Sequence, residues 1–326
     1  MADAYHFLSQ RVDYERIFTP SYTSREFKPA RIRELLAAMG DPHLGMPALH
    51  IAGTKGKGST SAMAASVLTA AGYRTGLFIS PHIDRIEERL SIDGQPCEPQ
   101  EFAGLLERMM PAIKALDERY AACDPAEPGP TYFEIVTAMA FQYFAERRVD
   151  IAVLEVGLGG RLDSTNVCQP LVCAITSISF DHMKQLGNTL EAIAREKAGI
   201  IKPGVPVVSG VVEPGPREVI RQTCRERNSR LVELGTDFDV DYVPPRRVAS
   251  DAAEAVIDFV YRSAERPLRY SQVALRLLGR HQAVNAAVAL AALAQLPFAP
   301  DRAWRVPESA VRTGLRCLHW PARIEV

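Results

Sequence analysis

Six cysteines (Cys97, Cys123, Cys168, Cys173, Cys224 and Cys317) are scattered through 326 residues without one Cys-x-x-Cys pair. That spacing argues against a disulfide frame or a zinc ribbon and fits reduced thiols in a cytosolic setting, where they fill space. No apolar run is long enough to cross a bilayer. The nearest, residues 283–299, is mostly alanine and holds Asn285, Gln295 and Pro297. No apolar signal core opens the chain; Asp3, Asp13 and Glu15 stand there instead. The net charge is −1, so no overall field draws the chain to nucleic acid or anionic lipid. An Asn-Lys-x-Asp block for guanine is absent, which argues against a switch-type GTPase. There is no internal repeat and no low-complexity tail. The expectation is a cytoplasmic protein with small-molecule partners, without nucleic acid and without a membrane.

What is present is ordinary globular composition, 47% apolar and 24% charged. Short β-branched runs at 49–52, 75–79, 151–156, 172–177, 205–208 and 231–234 read as strands. Helical patterns at 29–39, 59–71, 99–120, 133–147, 190–198 and 216–228 lie between them. Strands that are apolar throughout need cover on both faces. The fold class is therefore α/β, a doubly wound and mostly parallel sheet with ligands at the carboxyl ends of its strands. Residues 123–130 and 241–251 read as loops, and 256–260 and 268–275 as two antiparallel strands. An alanine-rich helix follows over 281–294.

The stretch Gly53-Thr54-Lys55-Gly56-Lys57-Gly58-Ser59-Thr60 joins the first strand to a small-residue helix. Strand, glycine turn and helix make a phosphate cradle. Glycines let backbone N–H groups converge on an anion, and the helix N-terminus adds its positive end. Lys57 is placed to reach terminal phosphates, and a hydroxyl of Ser59 or Thr60 to meet a phosphate or its magnesium. The spacing is compact: only Thr54 and Lys55 separate Gly53 from Gly56, and Gly58 follows Lys57.

Other segments sit just past strand ends. Glu155 closes an apolar strand before Gly157-Leu158-Gly159-Gly160-Arg161-Leu162-Asp163. A carboxylate there is costly unless it is paired with Arg or Lys or bound to a metal. Beside a phosphate loop, magnesium is the better reading. Ser80 offers a hydroxyl to a hard cation or simply caps a turn before Pro81. His182, next to Asp181, is either a ligand or a satisfied core residue. On residue type alone, Lys197 is a cation at a helix C-terminus, Phe133 is a core aromatic or a stacking platform, and Asn285 is a base or ribose contact or a helix-start residue.

In order along the chain stand G-T-K-G-K-G-S-T, S-P-H-I-D-R-I-E-E-R, T-Y-F-E, L-E-V-G-L-G-G-R-L-D-S-T-N, D-H, R-E-K-A-G-I-I-K, G-R-H-Q-A-V-N and W-P-A-R. This series resembles the folylpolyglutamate/dihydrofolate synthase family of the Mur ligase superfamily, from about residue 48 to the last. The resemblance implies an ATP-dependent ligase that joins L-glutamate to dihydropteroate or to folate polyglutamates through an acyl phosphate. It implies that Gly53, Thr54, Gly56, Lys57, Gly58, Ser59 and Thr60 hold the phosphates of ATP, and that Asn285 and Arg323 touch the nucleotide. It further implies one Mg²⁺ at Ser80 and Glu155, a second at His182, a carbamylated Lys197, and pterin-side contacts from Phe133 and Asp163. A monomer is the implied state.

The sequence departs from the family pattern at Lys55, where Asn is usual, and at Ala322, where Gly is usual. The Asp-x-Ala-His-Asn block of the family's smaller second domain is also missing. The expected organisation is therefore an ATP-binding domain over 1–300, with 301–326 a linker and the start of a truncated C-terminal domain. Two rival readings follow from the same motifs: a Mur-type peptide ligase, and a truncated, non-catalytic ATP-binding domain.

Overall fold

The computed structural model describes residues 2–14, 28–123, 129–245, 255–299 and 303–320. Helices α1 (Ala2–Ser9) and α2 (Pro29–Ala38) precede β1 (Ala48–Ala52) and α3 (Lys57–Ala70). Strand β2 (Thr75–Phe78) is followed by β3 (Leu90–Ile92) and β4 (Gln95–Pro96), then by α4 (Pro99–Cys123) and α5 (Tyr132–Glu146). Next come β5 (Ile151–Glu155), β6 (Val172–Ile175), the one-turn α6 (Met183–Leu186), α7 (Leu190–Ala198), β7 (Val207–Ser209), α8 (Pro214–Glu226) and β8 (Leu231–Glu233). The chain ends with β9 (Phe238–Val243), β10 (Ala255–Tyr261), β11 (Leu268–Leu275), α9 (Arg280–Leu293) and α10 (Glu308–Cys317).

The expected doubly wound sheet is there. Eight strands run in the order β4-β3-β2-β5-β1-β6-β7-β8. All neighbours from β2 to β8 are parallel. Strand β1 lies between β5 and β6, so the loops after these three strands open above one sheet edge. That edge is where a doubly wound sheet holds ligands.

Side-chain alternation divides the core. Leu49 and Ile51 face α3 and α9, while Ala48 and Ala52 face the opposite layer of α2, α4, α5, α7 and α8. Helix α3 is small-residue throughout because it is covered on several sides. Gly314 of α10 lies against the Val67 backbone, and Ser66 Oγ donates to Gly314 O at 2.8 Å.

Two expectations need correction, and one hairpin adds to the expected sheet. Residues 241–243 are not loop but the end of β9, which pairs with β10 in a three-stranded antiparallel sheet. Alternation of Phe238, Val240 and Tyr242 with three exposed-side residues carries that strand, masked in the sequence by the following prolines. The hairpin β3–β4 extends the large sheet antiparallel to β2 and is too short for a periodic signal. Residues 308–317 are not linker: α10 buries Ala310, Val311 and Leu315 against the ATP-loop layer. Among the described residues, no helix is long and apolar enough to cross a membrane.

Candidate active site

The loop after β1 takes the shape its glycines demand. Gly56 has φ +82 and is the N-cap of α3; Gly53 has φ +154. A Cβ on Gly56 would overlap Asn285 Oδ1, and one on Gly53 would overlap Thr176 Oγ1. Only a bare backbone fits so close to its supports. The helix begins at Lys57, two residues before the periodic pattern suggests, because the cap is this left-handed glycine. The first turn of α3 thus presents its unladdered N–H groups at the sheet edge. Lys57 Nζ curls back to Thr54 O at 3.4 Å.

The loop is braced by the segment after β6. Thr54 N donates to Ser177 O at 2.8 Å, and Ser179 N donates to Thr54 Oγ1 at 3.1 Å. Thr176 Oγ1 donates to Lys55 O at 2.6 Å, and Lys55 N donates to Ser177 Oγ at 3.1 Å. Thr176, Ser177 and Ser179 were not singled out from sequence. The only signal was a hydroxyl-rich run after an apolar strand, which many loops share.

Lys197 reaches the same loop from α7. Its side chain is buried, and Nζ donates to Gly53 O at 2.8 Å. Burial, reinforced by the nearby Lys57 charge and opposed by Asp181 and Asp163, pushes its pKa down to about 7. Residue type alone, which makes Lys197 a cation at a helix C-terminus, does not show this burial. Lys197 is a buried amine whose charged form is disfavoured by desolvation.

Glu155 ends β5 at 2% exposure, and its Oε2 accepts from Ser80 N at 3.1 Å. The Ser80 backbone thus stands beside the carboxylate. Among the described residues, no three His, Cys, Asp or Glu side chains converge. A donor set of one carboxylate and one hydroxyl suits Mg²⁺, which keeps waters and takes phosphate oxygens, and does not suit an all-protein cage.

A cavity of about 490 Å³ connects these elements. Lys57, Ser80, His182, Phe133, Gly157, Leu158, Leu162 and Asp163 all line it. His182 adopts φ +47 and is about half exposed, with Asp181 Oδ1 at 3.7 Å from its Nε2. It is therefore an exposed imidazole at the cavity, beside Asp181, and not a core residue. Phe133 stacks obliquely on Phe78 at 5.9 Å and covers Gly157, where a Cβ would collide with the ring. Asp163 is buried and holds its own loop, accepting from Leu158 N at 2.9 Å and Thr165 N at 2.9 Å. Burial raises its pKa against those hydrogen bonds.

Not every expected residue reaches the cavity. Thr60 is fully buried and its hydroxyl donates to Asn285 O at 3.4 Å, so Ser59 is the remaining hydroxyl candidate. One residue of helix rotates a side chain by about 100°, which turns Thr60 toward α9. Asn285 itself lies behind Gly56 and donates to Gln282 Oε1 at 3.0 Å. Its visible role is to support the loop. Arg323 lies outside the described residues. Conversely, Tyr14, His82, Arg89 and Glu134 line the cavity without having been singled out. Arg89 is buried, donates from Nε to His82 Nδ1 at 2.9 Å and lies over the Tyr132 ring. Glu134 closes the capping box of α5 and is ion-paired with buried Arg31 at 2.7 Å.

The Mur ligase middle domain matches residues 103–293, more than half of the chain. A folylpolyglutamate synthase of Thermotoga maritima superposes with a TM-score of 0.81 at 34% identity, covering 99% of this chain and 67% of that one. The chain belongs to the Mur ligase family, in its folylpolyglutamate/dihydrofolate synthase branch. A dihydrofolate synthase/folylpolyglutamate synthase of Bacillus subtilis is 41% identical over 298 residues, covering 91% of this chain and 65% of that protein. A solved complex of a folylpolyglutamate synthase with AMPPCP and folate aligns at TM-score 0.84 and 33% identity, over 99% of this chain and 73% of that one. The chain spans 65% of the length of the Bacillus subtilis relative and of the folylpolyglutamate synthase of Lacticaseibacillus casei.

Proposed function

We propose that the protein is an ATP- and Mg²⁺-dependent ligase that adds L-glutamate to dihydropteroate or to reduced folate polyglutamates. One observation carries the reading: a single cavity is lined by Lys57 of the phosphate loop, Ser80 of the candidate metal site and the aromatic Phe133. A nucleotide's terminal phosphate and a flat heterocycle can therefore meet in it. The names of the synthases that the chain resembles support the same reading.

In this reading the substrate carboxylate attacks the γ-phosphorus, ADP leaves, and an acyl phosphate forms. The amine of glutamate then attacks the acyl carbon and phosphate departs. Lys57 and the N–H groups of Gly56, Gly58 and Ser59 hold the phosphates, with charge neutralisation and positioning supplying the catalysis. Mg²⁺ at Ser80 and Glu155, and a second ion at His182, would neutralise the transferring phosphoryl group when bound. Phe133 offers its face to the pterin, and Asp163 shapes the adjoining loop. Neutral Lys197 can add CO₂ through its lone pair and release a proton, becoming a carbamate; the amine's depressed pKa favours that chemistry. Asn285 acts on the nucleotide through Gly56. We further infer a cytoplasmic monomer acting on small molecules, consistent with a chain of net charge −1 and scattered thiols.

The test incubates the full-length protein with ATP, Mg²⁺, L-glutamate and each pterin. ADP release that depends on both pterin and glutamate is expected. No release with any pterin overturns the proposal, and turnover of a UDP-linked muropeptide instead would make the protein a peptide ligase.

A further inference from the structure

The mechanism leaves one buried polar side chain unused. His50 lies in the middle of β1, fully buried, three residues before the phosphate loop. It occupies the same alternation as Ala48 and Ala52 and so points away from α3. A histidine in the central strand of a parallel sheet is costly to desolvate. Burial drives its pKa down to about 3, so it is neutral at any working pH.

Its contacts have a direction. His50 Nε2 is 2.8 Å from Thr165 Oγ1. Thr165 Oγ1 donates to Asp163 Oδ1 at 2.5 Å. Asp163 also accepts from Leu158 N and Thr165 N. Threonine has one hydroxyl proton, and Asp163 takes it. The imidazole must then donate from Nε2, leaving Nδ1 as a bare acceptor. Nδ1 has no partner among the described residues, and a bare acceptor is left unpaired there at less cost than an N–H would be. The reverse order would demand a protonated carboxyl and would strand a buried N–H, which proteins rarely tolerate.

The chain of donors ends on the loop that walls the proposed pterin side of the cavity, which Gly157, Leu158, Leu162, Asp163 and Ser164 line. That loop is also held at Arg161, whose N donates to Glu196 O at 2.8 Å and whose side chain pairs with Glu196, and at Asn166, whose Nδ2 donates to Gly199 O at 3.2 Å and whose carbonyl accepts from Lys202 Nζ at 2.7 Å. We propose that His50 is a positioning residue: through Thr165 and Asp163 it fixes the 157–166 loop, and so the pterin wall, to the strand that carries the phosphate loop. Nucleotide and pterin sites are thereby built on one rigid strand.

The activity readout rests on the proposed pterin site, and the exchange readout on the loop alone. In the full-length protein, T165V removes the relay hydroxyl at constant shape, T165S keeps it, H50F removes the donor, and H50Q supplies an amide donor at a similar reach. Hydrogen exchange in 157–166 is expected to quicken about tenfold in T165V and H50F, the scale of one hydrogen bond to a charged group. Exchange in 53–60 should stay at the wild-type rate. The pterin KM should rise about tenfold while the ATP KM stays within about twofold, and T165S and H50Q should return both readouts toward wild type. Indistinguishable T165V and T165S, unchanged exchange in 157–166, or pterin and ATP KM rising in step would overturn the assignment. If wild type turns over no pterin, the proposed function falls, and the exchange data still decide the relay. If H50F does not fold, T165V decides it.

Discussion

Replacing Lys197 with methionine should change how stability depends on pH, with a size the structure sets. The amine is buried, bonded to Gly53 O at 2.8 Å, and its pKa falls from 10.5 to about 7. Below about pH 7 it is protonated both folded and unfolded, and the folded state bears the full cost of the buried charge. Between about 7 and 10.5 the unfolded chain holds the proton and the folded one does not, so stability rises with pH across this window. A shift of that size corresponds to roughly 5 kcal/mol. Loss of the hydrogen bond to Gly53 offsets about 1 kcal/mol of what K197M gains. K197M should therefore be several kcal/mol more stable than wild type at pH 6, and the two should converge toward pH 10. Urea unfolding at pH 6, 7, 8, 9 and 10 in CO₂-free buffer reads this directly. Parallel stability curves would refute the claim that Lys197 titrates within the fold.

Three further outcomes follow from other parts of the site. E155Q should lower ligation by roughly two orders of magnitude, the equivalent of several kcal/mol of charge stabilisation, and raise the Mg²⁺ concentration needed; an unchanged Mg²⁺ titration would remove Glu155 from the metal site. G56A forces a left-handed alanine, costing about 1–2 kcal/mol, against Asn285. ATP-analogue affinity should fall about tenfold or more, and N285A added to it should restore part; wild-type affinity in G56A would show that the loop does not need its glycine. R31M should destabilise by about 3–5 kcal/mol by leaving Glu134 buried and unpaired, and R31M/E134Q should recover most of that in urea melts. A single variant no worse than the double would contradict the pairing.

The site was legible in proportion to how local its chemistry is. Glu155 ends one strand, and Lys57 and Ser80 lie a few residues past the ends of two others, so one parallel sheet places all three at one edge. Their neighbourhood could be anticipated without coordinates. Thr60 and Asn285 show the limit: both lie in the right blocks, yet helix rotation turns one into the core and packing sets the other behind Gly56. Lys197 shows the opposite error, since nothing in R-E-K-A-G tells that its amine is sealed under the phosphate loop. The braces from Thr176, Ser177 and Ser179 cross more than 120 residues, and no spacing rule links them to Thr54 or Lys55.

By itself the sequence determined the alternation of strand and helix, the parallel sheet and the glycine turn, because periodicity and φ preference are properties of a few adjacent residues. Tertiary structure alone decided which buried polar groups face one another: Lys197 against Gly53, His50 against Thr165, Arg31 against Glu134. Desolvation and hydrogen-bond partnership depend on what the rest of the chain brings alongside, and they fix whether a lysine is charged or a histidine is a ligand.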